Sequence, residues 1–284
     1  MSNEAIIYDS NKHQSFQGVN VGSDELGNKT LFLSHGYSFT NMTRLDMELE
    51  YQDSFGVGGM FYRRALLSDI ASDQKNVLWT DYRGKKIHVT NFELSRLGTI
   101  ALGDNFNHLV GIVFDPVTNR FLVPSRSHTQ IASISDDNAR WQYEIIEFSF
   151  DKSKESPLGY VYDISAGDDF IYLTTRETGQ IWRAKRNQAK PDDKLNFELF
   201  ISGLNWPQHT QVYDGYLYIL ETMGKCLSKV SLHNDEIERY HLGQGIYRGM
   251  AVDDHDTIYL TGFPNEDDVD EKKTVLTKKI LKID

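Results

Sequence analysis

The chain has 284 residues, of which 39% are hydrophobic, 25% charged and 12% aromatic, a composition typical of a soluble, strand-rich globular domain. Its formal net charge of −11 argues against nucleic-acid binding through phosphate neutralisation. Cys226 is the only cysteine, which excludes an internal disulfide and a thiolate-rich zinc site. We expect Cys226 to be a buried apolar filler rather than a nucleophile.

The N-terminal residues MSNEAIIYDSNKHQ contain neither the basic nor the apolar region of a signal peptide. No run of about 18 apolar residues, the length that a membrane helix needs, occurs in the sequence. We therefore expect a cytoplasmic protein whose partners include neither a membrane nor a nucleic acid.

A short apolar run that ends in a polar residue recurs along the chain. The intervals between copies range from 41 residues (Leu217 to Ile258) to 50 residues (Phe121 to Ile171). The copies are LFLSH from Leu31, VLWTD from Val77, FLVPS from Phe121, IYLTT from Ile171, LYILE from Leu217 and IYLTG from Ile258. A repeat of this length is typical of propellers and other repeat architectures.

Each copy is predicted to be the second strand of a four-stranded unit. A first strand and an Asp-, Gly- or Asn-rich turn precede it, as in GIVFDPVTNR before Phe121. A third strand follows, as in GQIWRAKR, and a fourth, as in FELFISG. No long amphipathic helix separates the strands, which argues against a βαβ fold. The sequence therefore predicts an all-β fold, a six-bladed β-propeller with four-stranded antiparallel blades around a central channel.

The repeat also divides the chain. Residues 1–284 are predicted to form a single domain, in which residues 1–13 add the outer strand of the last blade and close the ring. The predicted blades span residues 14–56, 57–104, 105–155, 156–203, 204–243 and 244–284.

Two segments carry a family resemblance. They are GLNWPQHTQVYDGYLYILETMGKCLSKVSL, residues 203–232, and GQGIYRGMAVDDHDTIYLTGF, residues 243–263. The ET-x-G-x-x-L-x-x-V run resembles the SMP-30/gluconolactonase and strictosidine-synthase-like group. The PQHT…DGYLYILE…YRG combination is more similar to uncharacterised bacterial propeller proteins with a PH-S/T…DG-x-L…RG pattern. The resemblance implies a six-bladed propeller.

The SMP-30-like enzymes hold a divalent metal in the channel with Glu, two Asn and an Asp. This sequence departs from that pattern: it contains no EGP, and its first-strand segments read FQGVNV, PQHTQV and YRGMAV. An arginine, Arg248, stands where a ligand-type residue is expected. We therefore expect no metal ligands and no cofactor.

The start of each first strand and the end of each second strand should meet on one face of the channel. The predicted first-strand residues are Arg63 or Arg64, His108, Tyr160, Gln208, His209 and Arg248, and the second-strand residues are His35, Asp81, Arg126, Arg176 and Glu221. Two alternatives remain open for the arginines. They pair with carboxylates such as Asp81, Asp163 or Glu221, or they clamp a carboxylate or phosphate of a ligand.

His209 and Arg248 are the strongest candidates because both begin a first strand within the resembling segments. His209 is predicted to be the general base or acid, with Glu221 as its partner, unless backbone groups simply satisfy the imidazole. Arg248 is predicted to hold a carboxylate or stabilise an oxyanion. We expect four tryptophans to pack between blades, namely Trp79, Trp141, Trp182 and Trp206, although Trp206, just before Pro207, is also a candidate for the channel mouth.

The sequence contains no G-x-S-x-G, Walker A, dinucleotide or H-E-x-x-H motif. The favoured hypothesis is an enzyme of hydrolase, lyase or cyclase type that acts on a small acidic molecule by acid–base chemistry. Its expected partner is a small ligand that bears a carboxylate or phosphate. One alternative is a noncatalytic propeller that binds a small ligand or a protein, and another is a metal-dependent lactonase-like hydrolase.

Overall fold

The computed structural model describes most of the chain. The described residues are 5–9, 15–36, 42–49, 51–55, 67–137, 140–151, 160–186, 194–253, 257–264 and 275–281. Within them the chain forms 24 strands, β1 to β24, grouped by hydrogen bonding into units of four. No helix in these ranges has the length and hydrophobicity needed to span a bilayer.

The first three blades follow one another along the chain, and each is an antiparallel meander. Blade 1 contains β2 (Ser15–Ser23), β3 (Lys29–Gly36), β4 (Met42–Leu45) and β5 (Tyr51–Phe55). Blade 2 contains β6 (Leu67–Ser72), β7 (Asn76–Asp81), β8 (Lys86–Asn91) and β9 (Arg96–Ala101). Blade 3 contains β10 (Val113–Asp115), β11 (Arg120–Pro124), β12 (Gln130–Asp137) and β13 (Arg140–Phe150).

The next two blades repeat this pattern, and the last one borrows its outer strand from the N-terminal segment. Blade 4 contains β14 (Val161–Ala166), β15 (Phe170–Thr175), β16 (Gln180–Lys185) and β17 (Leu195–Ile201). Blade 5 contains β18 (Pro207–Tyr213), β19 (Tyr216–Glu221), β20 (Cys226–Ser231) and β21 (Ile237–His241). Blade 6 contains β22 (Ile246–Val252), β23 (Thr257–Phe263), β24 (Val275–Ile280) and β1 (Ala5–Asp9).

The first strands of the blades form a closed circle around the channel. Strand β2 contacts β6, and the contacts continue through β10, β14, β18 and β22 back to β2. At the rim, β1 pairs antiparallel with β24, so a segment from the start of the chain completes the last blade. The fold is therefore a six-bladed β-propeller, as the repeat predicts.

Blades 3 and 4 are joined more closely than their neighbours. The end of β13 pairs in parallel with the start of β17, Phe148 opposite Leu195 and Phe150 opposite Phe197, so the two blades form one eight-stranded sheet. The sequence repeat does not predict this pairing, because β13 extends beyond the usual length of a propeller strand.

The core lies between the blades, where each sheet packs on the next. The second strands are buried on both faces: every residue of β7 and of β23 is buried, which explains why they read as apolar runs. Trp79 and Trp182 are completely buried, as expected for residues that pack between blades. Cys226 is buried as predicted, and burial raises the pKa of its thiol to about 11, which makes it a poor nucleophile.

Candidate functional site

A cavity of about 260 Å³ opens at the end of the channel where the first strands begin. Residues from every blade except the third contribute polar side chains to it. Its lining consists of Gln17, Leu67, Ser68, Asp69, Tyr82, Val110, Tyr162, Gln208, His209 and Arg248. The predicted residues Gln208, His209 and Arg248 therefore share one cavity.

Register shifts in the first strands turn these side chains towards the cavity. In five blades the pairing with the second strand shifts near the start of the first strand, as between Pro207 and His209 in blade 5 and between Tyr247 and Gly249 in blade 6. A bulge inserts an unpaired residue and turns its side chain away from the sheet. The residues within these shifts that line the cavity are Gln17, Ser68, Asp69, Tyr162, Gln208 and Arg248.

His209 lies beside two buried carboxylates, those of Asp69, which lines the cavity, and Asp163. Its Nδ1 is 3.6 Å from Oδ2 of Asp163, on the first strand of the preceding blade. A nitrogen of His209 and carboxylate oxygens of Asp69 and Asp163 all lie within 4.8 Å of one another. The sequence predicts Asp163 only as an ion-pair partner for arginine and gives no signal for Asp69.

Both carboxylates also fasten neighbouring blades together. Asp163 Oδ2 accepts hydrogen bonds from the backbone N–H of Thr210 at 2.6 Å and from its hydroxyl at 3.0 Å. Asp69 Oδ2 accepts one from the N–H of Ile112 at 3.0 Å, whereas its Oδ1 is buried without a hydrogen-bond partner among the described residues. Asp69 thus keeps one acceptor available at the centre of the channel.

The buried environment changes the acidity of this cluster. Burial raises the pKa of Asp69 from its ordinary value of 3.8 to about 7; His209 opposes the rise and the nearby Asp163 reinforces it. Burial raises the pKa of Asp163 as well, against the opposing effects of His209 and of the hydrogen bonds from Thr210. Burial therefore favours the protonated form of these two carboxyl groups at higher pH than in water.

The same three residues could hold a divalent metal. Two carboxylates and an imidazole are suitable metal ligands. Among the described residues, Asp69 Oδ1 has no hydrogen-bond donor, so this oxygen is available to a metal ion. The sequence predicts no metal ligands, because the Glu and Asn ligands of the SMP-30-like pattern are missing. The fold nevertheless brings together a different donor set, from the first strands of blades 2, 4 and 5.

A second cavity, of about 270 Å³, also borders His209. Apolar residues such as Ile70 and Met250 and polar residues such as Ser165 and Gln211 line it, together with His209 itself. His209 therefore lines both cavities.

The channel mouth is built from aromatic rings and arginines. The Tyr82 ring packs against His108 with centroids 4.8 Å apart and planes tilted by 45°, and its hydroxyl accepts a hydrogen bond of 2.8 Å from Arg126 Nη1. The Arg126 guanidinium lies 4.8 Å from the Tyr160 ring and 5.7 Å from the Tyr162 ring. Four predicted binding residues thus meet at the mouth, namely His108, Arg126, Tyr160 and Arg176.

Arg176 extends this arrangement. Its guanidinium lies 3.8 Å from the Tyr162 ring and 4.7 Å from the Trp206 ring, and it pairs with Glu177 at 3.0 Å. Trp206 is 44% exposed, so it lies at the mouth as its position before Pro207 indicates. We call the set Tyr82, His108, Arg126, Tyr160, Tyr162, Arg176 and Trp206 the mouth arc.

Glu221 is not among the described residues that line the cavity. Its carboxylate accepts hydrogen bonds from the backbone N–H of Asn205 at 2.7 Å and from the Ser228 hydroxyl at 2.5 Å, and Arg239 lies 3.7 Å away. The side chain faces the third and fourth strands of its own blade. We therefore assign Glu221 a structural role and replace it by Asp163 as the carboxylate next to His209.

Asp81 and His35 also have structural contacts. Asp81 accepts hydrogen bonds from the N–H groups of Arg83 and Gly84 at 3.1 and 3.0 Å and so closes the turn after β7. His35 is completely buried, 2.8 Å from the Thr43 hydroxyl, and burial lowers its pKa to about 3. Neither residue is placed to bind a ligand in the cavity. Arg63 and Arg64 lie outside the described residues.

No known protein family and no curated protein matches the sequence. Solved structures match it in fold. A virginiamycin B lyase from Staphylococcus aureus, a catalytically inactive variant with quinupristin, is 11% identical, with a TM-score of 0.68 over 99% of this chain and 100% of that chain. A luciferin-regenerating enzyme is 10% identical, with a TM-score of 0.68 over 99% and 95% of the two chains.

A chain of a nidogen/laminin complex is 15% identical, with a TM-score of 0.56 over 78% of this chain and 79% of that chain. Enzymes and a protein found in a protein–protein complex thus share this architecture. At such low identity the likeness defines the fold alone, and the function must be argued from the site.

Proposed function

We propose that the protein is an enzyme that acts on a small organic acid by acid–base chemistry in the central channel. The observation that carries this proposal is the arrangement of His209: it lines a cavity together with Arg248 and has the Asp163 carboxylate 3.6 Å from its Nδ1. An imidazole backed by a carboxylate is a common general base.

His209 supplies the proton transfer in this proposal. Because Nδ1 faces Asp163, Nε2 is the nitrogen left to take a proton from the substrate or to return one to a leaving group. Asp163 stabilises the imidazolium that forms and fixes the ring, and it is itself held by Thr210. Asp69, with its pKa raised by burial, holds a further proton beside the imidazole.

Arg248 supplies the anion contact. It enters the cavity from blade 6 through the shift between Tyr247 and Gly249 and lies beside Gln208 and His209 in the lining. A guanidinium matches a carboxylate or phosphate in shape and charge, and in a chain of net charge −11 it marks a local site for anions. The proposed substrate therefore carries an acidic group close to the bond that reacts.

Turnover of a panel of carboxylic and phosphoric acids that carry ester, lactone, amide or hydroxyl groups, followed by mass spectrometry, tests the proposal. The wild type is compared with His209→Gln and with His233→Gln, which alters an exposed histidine of the same blade. We expect His209→Gln to slow turnover about 100-fold or more and His233→Gln to leave it unchanged. Turnover that persists in His209→Gln overturns the proposal.

The same panel distinguishes an enzyme from a noncatalytic binding protein. If acids bind to the wild type with loss of affinity in Arg248→Gln, but no compound of the panel is converted, the channel is a binding site without chemistry.

A metal-dependent hydrolase is a second candidate, favoured by the convergence of Asp69, Asp163 and His209 within 4.8 Å. A metal held there would act as a Lewis acid on a substrate oxygen. Calorimetric titration of Ca²⁺, Mn²⁺ or Zn²⁺ into EDTA-treated protein tests it. Stoichiometric binding that Asp69→Asn abolishes supports a metal site, and the absence of binding for all three ions rejects it.

A further inference from the structure

Among the described residues, one guanidinium of the mouth arc has no counter-ion. Arg126 has no carboxylate within 4.0 Å among the described residues, and its buried Nε has no hydrogen-bond partner there. Arg176, the other arginine of the arc, pairs with Glu177. A guanidinium packed against rings and left without an anion is a site that an acidic ligand group would complete.

The faces of this guanidinium are held by aromatic rings. Tyr160 and Tyr162 lie 4.8 and 5.7 Å from its carbon, and the Tyr82 hydroxyl fixes Nη1 at 2.8 Å. The neighbouring rings keep the planar guanidinium group in one orientation. Less side-chain conformational entropy is therefore lost when it binds an anion.

Both ends of the stack present aromatic surface to solvent. Tyr160 is 50% exposed and Trp206 is 44% exposed, although both belong to a stack that is otherwise partly buried. Exposed apolar surface of this kind marks interaction sites, and an aromatic ring favours a second ring as its packing partner. Tyr82 and Tyr162 belong to the lining of the cavity, so a ligand at the arc is continuous with His209.

We propose that the mouth arc recognises a planar aromatic acid, with the acidic group bound by Arg126 and the ring packed against Tyr160 or Trp206. This inference rests on the proposed function and narrows its substrate class to aromatic compounds that carry an outer acidic group, bound at the mouth, in addition to the acidic group that Arg248 binds close to the reacting bond. Both guanidinium charge and ring planarity contribute to recognition.

Calorimetric titration with three probes separates these contributions. The probes are 2-naphthoate, its saturated counterpart decahydro-2-naphthoate, and the neutral 2-naphthamide. We expect the wild type to bind 2-naphthoate about tenfold more tightly than either of the others. Equal affinity for 2-naphthoate and the saturated acid overturns the inference, as does failure to bind 2-naphthoate at millimolar concentration.

Variants of the arc locate the binding. Arg126→Gln should weaken 2-naphthoate binding about tenfold, and the surface variant Tyr160→Ala should weaken it while leaving the affinity for decahydro-2-naphthoate unchanged. Arg183→Gln is the matched control, because Arg183 also packs on two rings, Phe170 and Phe200, but pairs with Glu198. Unchanged binding in both Arg126→Gln and Tyr160→Ala overturns the inference.

These outcomes are distinguishable from failure of the proposed function. If the arc variants change nothing while Arg248→Gln and His209→Gln impair binding and turnover of aliphatic acids, the aromatic specificity is wrong and the channel chemistry stands. If the mouth arc binds 2-naphthoate but no acid is turned over, aromatic acids remain the ligands of the arc and the enzyme proposal fails.

Discussion

Asp163 and His209 face each other across the junction of blades 4 and 5, with Asp163 Oδ2 3.6 Å from His209 Nδ1. The same oxygen accepts the N–H and hydroxyl of Thr210, the residue after His209. One carboxylate therefore positions the imidazole and fastens its strand to the preceding blade. This double function links the stability of the channel to the geometry of the proposed base.

Substitution of Asp163 should separate these two functions. Asp163→Ala leaves the buried donors of Thr210 without an acceptor, so we expect a loss of about 2–4 kcal/mol in the free energy of unfolding. Asp163→Asn retains an oxygen acceptor and removes a buried charge, and should cost under about 1.5 kcal/mol. Urea denaturation measures both, and equal losses would contradict the role assigned to the Thr210 hydrogen bonds.

The pH dependence of stability should reveal the buried carboxyl of Asp69. Its pKa rises from 3.8 to about 7 on folding, so the folded state binds this proton more tightly than the unfolded state. The contribution of Asp69 to stability therefore falls as pH rises from about 4 to about 7. In metal-free protein, the melting temperature of Asp69→Asn relative to wild type should rise across that range, and a constant difference would exclude the shift.

The contribution of His35 to stability should depend on pH with the opposite sign. Its pKa falls from 6.5 to about 3 because the ring is buried, so below pH 6.5 the unfolded state takes up a proton that the folded state refuses. The stability contributed by neutral His35 is lost as pH falls from about 6.5 towards 3. His35→Gln should be less stable than wild type near neutral pH, with a gap that narrows in acid. Thermal unfolding along a pH series checks this, and a gap that widens in acid would refute it.

A buried ion pair joins blades 3 and 4, and neither of its residues lines the cavity that contains Arg248. Arg186 Nη1 lies 2.5 Å from Asp115 Oδ2, both side chains are buried, and Arg186 Nε donates to the Gly167 carbonyl. Removing one partner leaves an unpaired buried charge, so Arg186→Met should cost about 3–5 kcal/mol in urea denaturation. Arg183→Met breaks the more exposed pair with Glu198 and should cost under about 1 kcal/mol. A similar cost for both variants would contradict this assignment.

The architecture follows from the repeat because the second strands are buried on both faces. Burial on both sides selects apolar runs, and the runs at Leu31, Val77 and Ile258 belong to β3, β7 and β23. The pairing of β13 with β17 was not predictable, since it depends on how two outer strands from different blades approach each other.

The site was predictable only where the start of a first strand was located correctly. Gln208, His209 and Arg248 come from blades with clear boundaries, and they share the cavity. Asp69 and Tyr162 were missed because local register shifts turn them into the channel, and such shifts have no strong sequence signal. Glu221 was selected because it ends a second strand, but its side chain faces Ser228 in its own sheet.

Binding of anions at Arg248 tests the central claim most directly. Thermal-shift measurements compare carboxylates with their neutral amides, in the wild type and in Arg248→Gln. A ligand that binds only the folded state raises the melting temperature by mass action. We predict that carboxylates stabilise the wild type, that their amides do not, and that Arg248→Gln loses the effect. Equal stabilisation of wild type and variant, or none by any acid, would contradict the assignment of the channel as a site for acidic molecules.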